Sequence, residues 1–486
     1  MTRVGIVRAA GYVPRYRLSR AAIAAAGSWY DPSLKGLGKS ERSVCDWDED
    51  VITMATEAAR HCLGPTPATP ASLFLASTTM PFADRQNSAV VATALDLPTS
   101  THTADLGHSQ RAGTSALKLA LEMASDGPRL VAAADMRLAR TASPNDAIFG
   151  HGAAAVLVGT EQVIAEYLGG ATLTRDFVDH FRRSGDRFDY YWEERWIRDE
   201  GYLKIAVEAI GAALVNTGIA ATAVDRLVFA APIRGVREAV AKATGIAPDR
   251  LTDELAGGVG DTGTAHPLMM LAHTLEQSRP NQVIVVVGFG QGADVLVFRT
   301  TDLVGRQTPA APLATQIAAG IIETNYFKFL AFQGGLDVQW GMRAEIDAKT
   351  AISAAARHEE FGHFSAGKCP KCGTLQFPTA RICVNPGCRH LGVQEPFRLA
   401  DLTAKVASFT EDWLAFTPHP PGVYGMLEFD AGVKLMGQFT SDAAGRTQVG
   451  SLMRMVFRIK AIDRARGYTR YFWKAQPLEI ASRRSV

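Results

Sequence analysis

The chain has 486 residues, 47% of them apolar and 21% charged, which is the composition of a soluble globular protein with material for two or three cores rather than one. A formal net charge of +2, with no Lys/Arg run longer than Arg483-Arg484, excludes the concentrated basic face of an electrostatic nucleic-acid binder. No apolar run reaches the ~18 residues of a membrane span, and six cysteines, four of them at metal spacing, fit a reducing cytoplasm.

The N-terminus, Met1-Thr2-Arg3-Val4-Gly5-Ile6-Val7, enters a strand-like run at once and lacks the apolar stretch of a signal peptide. Cys45 precedes the acidic run Asp46 to Asp50, and Cys62 sits near the end of an apolar helix; both read as core thiols. Leu73-Phe74-Leu75-Ala76-Ser77 is a buried strand followed by a loop carrying Asp84-Arg85. Next come an elbow, His108-Ser109-Gln110-Arg111, an apolar helix from Gly113, and the strand Arg129 to Asp135.

The segment Arg175 to Tyr202 is dense in aromatics and charge, including Asp179-His180, Tyr190-Tyr191-Trp192-Glu193, Tyr202 and nearby Lys204. The first pattern then returns. Leu227-Val228-Phe229-Ala230 is a buried strand, Gly263-Thr264-Ala265-His266 opens a second apolar helix, and Gln282 to Gly288 is a strand. With the helix beginning near Thr262, His266 falls one turn in and Asp261 at the cap. Near-continuous apolar strands and all-round apolar helices predict a layered α/β fold with covered sheets.

The aromatic run Asn325-Tyr326-Phe327-Lys328-Phe329 lies in a connector and is expected to pack the C-terminal part on the body or on another subunit. Cys369-x2-Cys372 and Cys383-x4-Cys388 are two knuckles that place four thiolates on one tetrahedral metal, read as a structural zinc ribbon. Gly373 and Pro386-Gly387 supply its turns. The following segments, at Leu402–Phe409, Gly422–Phe429, Val433–Phe439, Met453–Ile459 and Arg470–Lys474, predict a small β-barrel. Its strands lack the dense basic and aromatic stripe of a nucleic-acid platform.

The duplicated half with its glycine-led elbow resembles the thiolase superfamily, and the ribbon followed by a barrel resembles the zinc-ribbon/OB-fold modules that accompany such enzymes. The resemblance sharpens to hydroxymethylglutaryl-CoA synthase through Asp48-Glu49-Asp50 with Thr53-Met54-Ala55, Ala112-Gly113-Thr114-Ser115-Ala116-Leu117, Asp176-Phe177 with Phe181 to Phe188, and Gly288-Phe289-Gly290-Gln291-Gly292-Ala293-Asp294. It implies a duplicated α/β/α/β/α body over 1–305. The pseudo-repeats are about 1–160 and 205–305, with a lid insertion at 170–204. A connector at 306–360, a rubredoxin-like ribbon at 361–395 and an OB-type barrel at 396–486 follow. It also implies a homodimer through the body, or a higher oligomer, and coenzyme A as part of the substrate.

Enzymes of this kind acylate a cysteine at the elbow and manage protons with a histidine and a glutamate. Here those slots hold Gln110, Ala230 and Thr78, and the later asparagine corresponds to Asp261. A primary amide cannot form a thioester. No cysteine lies between Cys62 and Cys369. The expected role of Gln110 is therefore an N–H₂ donor to a thioester or ketone oxygen; glutamine in this slot also resembles the decarboxylating ketosynthase-like domains, where an amide stands because acylation is no longer wanted.

The expected function is cysteine-independent C–C cleavage or formation, of retro-aldol or retro-Claisen type, on a β-hydroxy- or β-keto-acyl-CoA or related β-keto acid, hence a lyase or acyltransferase. Candidate catalytic residues are Gln110, Asp261, His266, Asp84 and Arg85. Candidate substrate- or CoA-binding residues are Arg111, Tyr191, Glu193, Tyr202 and Lys204. The alternatives are hydroxymethylglutaryl-CoA synthase-type condensation, decarboxylation of a malonyl-type thioester, and a non-catalytic acyl-CoA-binding scaffold.

Overall fold

The structure is a computed structural model and describes residues 3–64, 69–306, 311–344 and 358–478. Parts of the predicted connector and the end of the predicted barrel domain, 479–486, lie outside these residues.

The body is built on one nine-stranded arrangement. From one edge its strands are Arg226–Phe229, Val283–Phe289, Gly292–Thr300, Ala165–Thr174, Gly5–Tyr12, Gly152–Gly159, Arg129–Asp135, Ser72–Ala76 and His102–Leu106. The two halves meet across only two residue pairs, Gly5↔Glu166 and Ile6↔Ala165. Each half is therefore a sheet of its own, as the repeat predicts. Three apolar cores separate the layers. The one between the sheets holds Leu117, Ala120, Leu268 and Leu271 of the two elbow helices, Ala112–Glu122 and His266–Glu276. Every residue of the strands Arg129–Asp135, Gly152–Gly159 and Val283–Phe289 is buried, which explains why these segments read as unbroken apolar runs.

The two elbows touch at a point where only glycine fits. A Cβ on Gly113 would stand 2.4 Å from the Thr264 carbonyl oxygen. Gly263 has φ +57°, and a Cβ there would meet Asp135 Oδ2 at 2.6 Å. Asp135 pins the halves together. Fully buried, it accepts from Ser77 Oγ, Thr78 N and Thr79 Oγ1 at 2.8 Å each in one half, and from Thr264 N at 2.8 Å in the other.

The C-terminal barrel is a five-stranded sheet in the order Lys434–Gln438, Gly422–Phe429, Thr403–Asp412, Leu452–Asp463, Tyr468–Pro477. All five predicted strands are present. The barrel lies on the helix Val51–Leu63, and Met54, Ala58, Leu427, Phe457 and Trp473 share one apolar core. That helix opens with a capping box: Asp50 Oδ1 accepts from Thr53 N at 3.0 Å, and Thr53 Oγ1 accepts from Asp50 N at 2.8 Å. The acidic run before it meets the barrel's cations. Lys474 Nζ lies 2.6 Å from Asp48 Oδ2, and Arg458 Nη2 lies 3.1 Å from Glu49 Oε1. Tyr471 Oη donates to Asp50 Oδ2 at 2.6 Å, and Phe457 N donates to Glu57 Oε1 at 3.1 Å.

The connector joins the body as well. Ile321–Glu323 pairs in parallel with Tyr16–Ser19. The aromatic run forms the helix Tyr326–Phe332, where Tyr326 Oη donates to Asp146 and Arg42 lies over Phe329 at 4.6 Å. Phe332 reaches His419 beyond the barrel's third core strand, ring to ring at 5.7 Å. The run therefore bridges body and C-terminal part.

Candidate active site and metal centre

Gln110 sits two residues before the N-terminus of the Ala112–Glu122 helix, where backbone N–H groups and the helix dipole favour negative charge. Its amide orientation follows from its neighbours. Arg137 carries only donors, so the amide oxygen must face it. That oxygen accepts from Arg137 Nη2 at 2.8 Å, Arg137 Nη1 at 2.9 Å and His180 Nε2 at 2.9 Å. The N–H₂ edge is turned the other way.

Arg137 is the centre of a buried charge web. Nη1 lies 3.2 Å from Asp261 Oδ2, and Nη2 lies 2.9 Å from Asp189 Oδ2. Nη2 also donates to Tyr191 Oη, and the guanidinium covers the Phe149 ring at 4.0 Å. Burial lowers the Arg137 pKa, but Tyr191, Asp261 and Asp189 outweigh it and raise it. Burial pushes the Asp261 carboxyl up. Arg137, His266 and the Gly263 N–H outweigh that, so Asp261 is held below the ordinary carboxylate range.

Asp261, His266 and Gln110 line one cavity of about 310 Å³, together with Ala230 and Tyr202. Three of the four slots identified by sequence thus converge. Thr78 does not join them; it lines a second cavity of about 760 Å³ on whose wall Gln110 and His180 also lie. The helix starts at His266 itself, after a 3₁₀ turn Gly263–Ala265, so His266 is at its first residue rather than one turn in. Its Nδ1 receives the Thr262 N–H at 3.2 Å, which leaves the proton on Nε2. Burial lowers its pKa and Asp261 only partly opposes this, so the ring is neutral. Asp261 caps the turn, Oδ1 accepting from Gly263 N at 2.9 Å.

Other expected site residues lie elsewhere. Asp84 is exposed, and Arg85 packs over the Phe82 and Tyr468 rings at 4.5 and 5.0 Å, bridging body and barrel. Arg111 braces the elbow, donating to Leu173 O at 3.0 Å with Asp294 3.5 Å away. Glu193 is exposed, and Lys204 is exposed and paired with Glu200 at 2.6 Å. Their side chains are drawn off by nearer partners or by water. Tyr202 does reach the cavity wall, its ring tilted against Phe289 at 4.3 Å. Tyr191 reaches the web through Arg137.

The expected insertion carries local structure of its own. His180–Phe181 and Tyr190–Tyr191 form a two-stranded ribbon that brings His180 to Gln110, and the His180 ring stacks on Tyr191 at 5.3 Å. His180 Nδ1 lies 3.0 Å from Asp179 Oδ1. Sequence reasoning assigned no role to Arg137, Asp189 or His180. One signal was present: Arg137 lies two residues past the end of a buried strand, and ligands in open α/β sheets sit at the carboxyl ends of strands.

Cys45 and Cys62 do not supply a nucleophile. Burial raises both thiols, Cys62 to about 12. In the ribbon the four Sγ atoms lie within 4.8 Å of one another, with Cys372–Cys383 at 3.6 Å and Cys369–Cys388 at 3.9 Å. A tetrahedron of ~2.3 Å metal–sulfur bonds needs sulfurs ~3.8 Å apart, so the donor set fits. It leaves no open position for substrate.

Residues 214–297 match the family model for the C-terminal part of 3-oxoacyl-[acyl-carrier-protein] synthase III, and residues 398–458 match that for the C-terminal OB-fold domain of ChsH2. The chain is a thiolase-like body carrying an OB-fold domain. Hydroxymethylglutaryl-CoA synthase of Methanopyrus kandleri is 27% identical over 337 residues, covering 67% of this chain and 96% of that protein. The enzyme of the same name from Archaeoglobus fulgidus is 29% identical, covering 62% and 90%. Among solved structures, MvaS in complex with 3-hydroxy-3-methylglutaryl coenzyme A superposes with a TM-score of 0.59 at 19% identity, covering 68% of this chain and 92% of that one. FabH from Pseudomonas aeruginosa gives 0.55 at 21%, covering 62% and 98%. These likenesses place the thiolase-like fold over the body.

Proposed function

We propose that the body carries out cysteine-independent carbon–carbon bond chemistry on a β-hydroxy- or β-keto-acyl-CoA, with retro-aldol cleavage as the favoured reaction. The observation that carries the reading is the convergence of an amide donor, an ionised carboxylate and a neutral imidazole on one cavity: Gln110, Asp261 and His266. Acyl-CoA as substrate class is supported by the relatives' names.

In this reading Asp261 takes the proton of the β-hydroxyl, beside a His266 ring fixed by the Thr262 N–H and the Glu254 backbone. The Cα–Cβ bond breaks. Its electron pair becomes the thioester enolate, whose oxygen is held by the Gln110 N–H₂ group. The carbonyl product departs, and the proton on Asp261 returns to Cα. No other reactant is needed. Tyr202 and Phe289 line the apolar side. The ribbon metal is zinc and structural. The half-exposed edge strand His102–Leu106, with Leu119 and Met123 exposed beside it, supports a homodimer through the body.

The test is a panel of β-hydroxyacyl-CoAs differing at Cβ, with mass spectrometry for the shortened acyl-CoA and its carbonyl partner. Cleavage that is lost in Asp261→Asn supports the reading. Tight binding of the whole panel without turnover would instead favour the scaffold, and carbon dioxide from malonyl-CoA the decarboxylase.

A further inference from the structure

We infer that Arg137 and His180 are positioning residues that make Gln110 a polarised, one-way amide donor. The inference rests on the acyl-CoA reading above and deepens it.

Three N–H groups converge on one amide oxygen at 2.8–2.9 Å, two from Arg137 and one from His180. Such a set fixes the side chain in one of its two amide orientations. It also draws electron density toward the oxygen, which makes the N–H₂ protons better donors, because hydrogen bonds in a chain strengthen one another at low local dielectric. A free glutamine in water has neither property.

The supporting shell is itself held. Arg137 is 2% exposed in its side chain and fixed by Asp189 and Asp261 at 2.9 and 3.2 Å. Asp189 is held from its other oxygen by Arg182 at 2.8 Å. His180 is oriented by Asp179 at 3.0 Å and by stacking on Tyr191. The guanidinium of Arg137 and the Nε2 edge of the His180 ring therefore back the amide oxygen from two sides. The family's cysteine slot has become a hydrogen-bond donor whose strength is set from behind, by residues that never meet the substrate.

The readout is the thioester carbonyl stretch of bound acetoacetyl-CoA carrying ¹³C at that carbon, measured by isotope-edited infrared difference spectroscopy with saturating wild-type protein. The stretch should fall on binding. In Gln110→Glu, which keeps an oxygen toward Arg137 and loses the N–H₂, the shift should vanish. In His180→Leu it should shrink, and in His180→Gln, which restores an N–H donor, it should recover at least in part. Arg137→Lys should shrink it as well; if that variant does not fold, the two His180 variants carry the test alone. An unshifted carbonyl in a wild-type protein that binds the thioester overturns this inference and leaves the acyl-CoA reading standing. So does an equal shift in His180→Leu. Failure of wild type to bind any acyl-CoA overturns both.

Discussion

Arg137 Nη1 stands 3.2 Å from Asp261 Oδ2, so the carboxylate of the smaller cavity is also the counter-ion of a buried guanidinium. The two residues come from opposite halves of the duplication. Asp261→Asn keeps the shape and the Gly263 contact but removes the base, and turnover should drop about 10²–10⁴-fold. Full turnover in this variant removes Asp261 from the mechanism. Arg137→Met removes the buried counter-ion of Asp261 and one of the two cations on Asp189, and should cost roughly 3–5 kcal/mol in urea unfolding. A cost within error of zero would contradict the buried web.

Incubation of wild-type protein with acetyl-CoA or acetoacetyl-CoA should leave its intact mass unchanged. The elbow carries an amide, and both cysteines of the body are buried with raised thiol pKa values. An adduct with the mass of one acyl group on any peptide of the body would bring acyl-enzyme chemistry back.

Acid should weaken the fold in two stages. Burial keeps His61 neutral, lowering its pKa to about 4. In the unfolded chain the same imidazole binds its proton near ~6.5. Its contribution is complete above that pH and drains away as pH falls toward 4, where the unfolded state holds more protons. Glu57 follows lower down. Burial pushes it up, but Arg60, Arg454 and Arg458 win and bring it to about 2. Its contribution is present above ~4.3 and is lost as pH falls through 2. Denaturant midpoints should therefore decline from pH 6.5 downward, and His61→Gln should flatten the upper part of that decline. A profile that is flat between pH 7 and 4 would refute the assignment.

Chelation tests the ribbon. One equivalent of zinc should be released when the protein is treated with a chelator under mild denaturant, and four thiols should become titratable while Cys45 and Cys62 stay silent. Cys372→Ser should lower thermal stability without changing the substrate panel. If it alters which acyl-CoA is used, the metal is more than structural.

The fold was largely legible because its determinants are local. The repeat around Gly113 and Gly263, the unbroken apolar strands and the two cysteine knuckles each announce themselves within a few residues. Gln110, Ala230 and Asp261 were legible as slots because the glycine-led elbows and buried strands fix their place. Arg137 and His180 were not. Each is an ordinary polar residue beside a strand or in an aromatic-rich loop, and only the tertiary fold shows that both end on one amide oxygen. Asp84 and Arg85 misled for the opposite reason. Their position after the first strand is right for a site, but Arg85 finds the Tyr468 ring of the barrel first, a partner nearly four hundred residues away that no local pattern reveals.

The contact between Lys474 and Asp48 has a wider consequence. Asp48 and Glu49 serve as the seat for Lys474 and Arg458 of the barrel. A barrel lacking those two cations would bury bare carboxylates, and a body lacking the carboxylates would strand the cations. Neither part can be exchanged for a homologue's piecemeal.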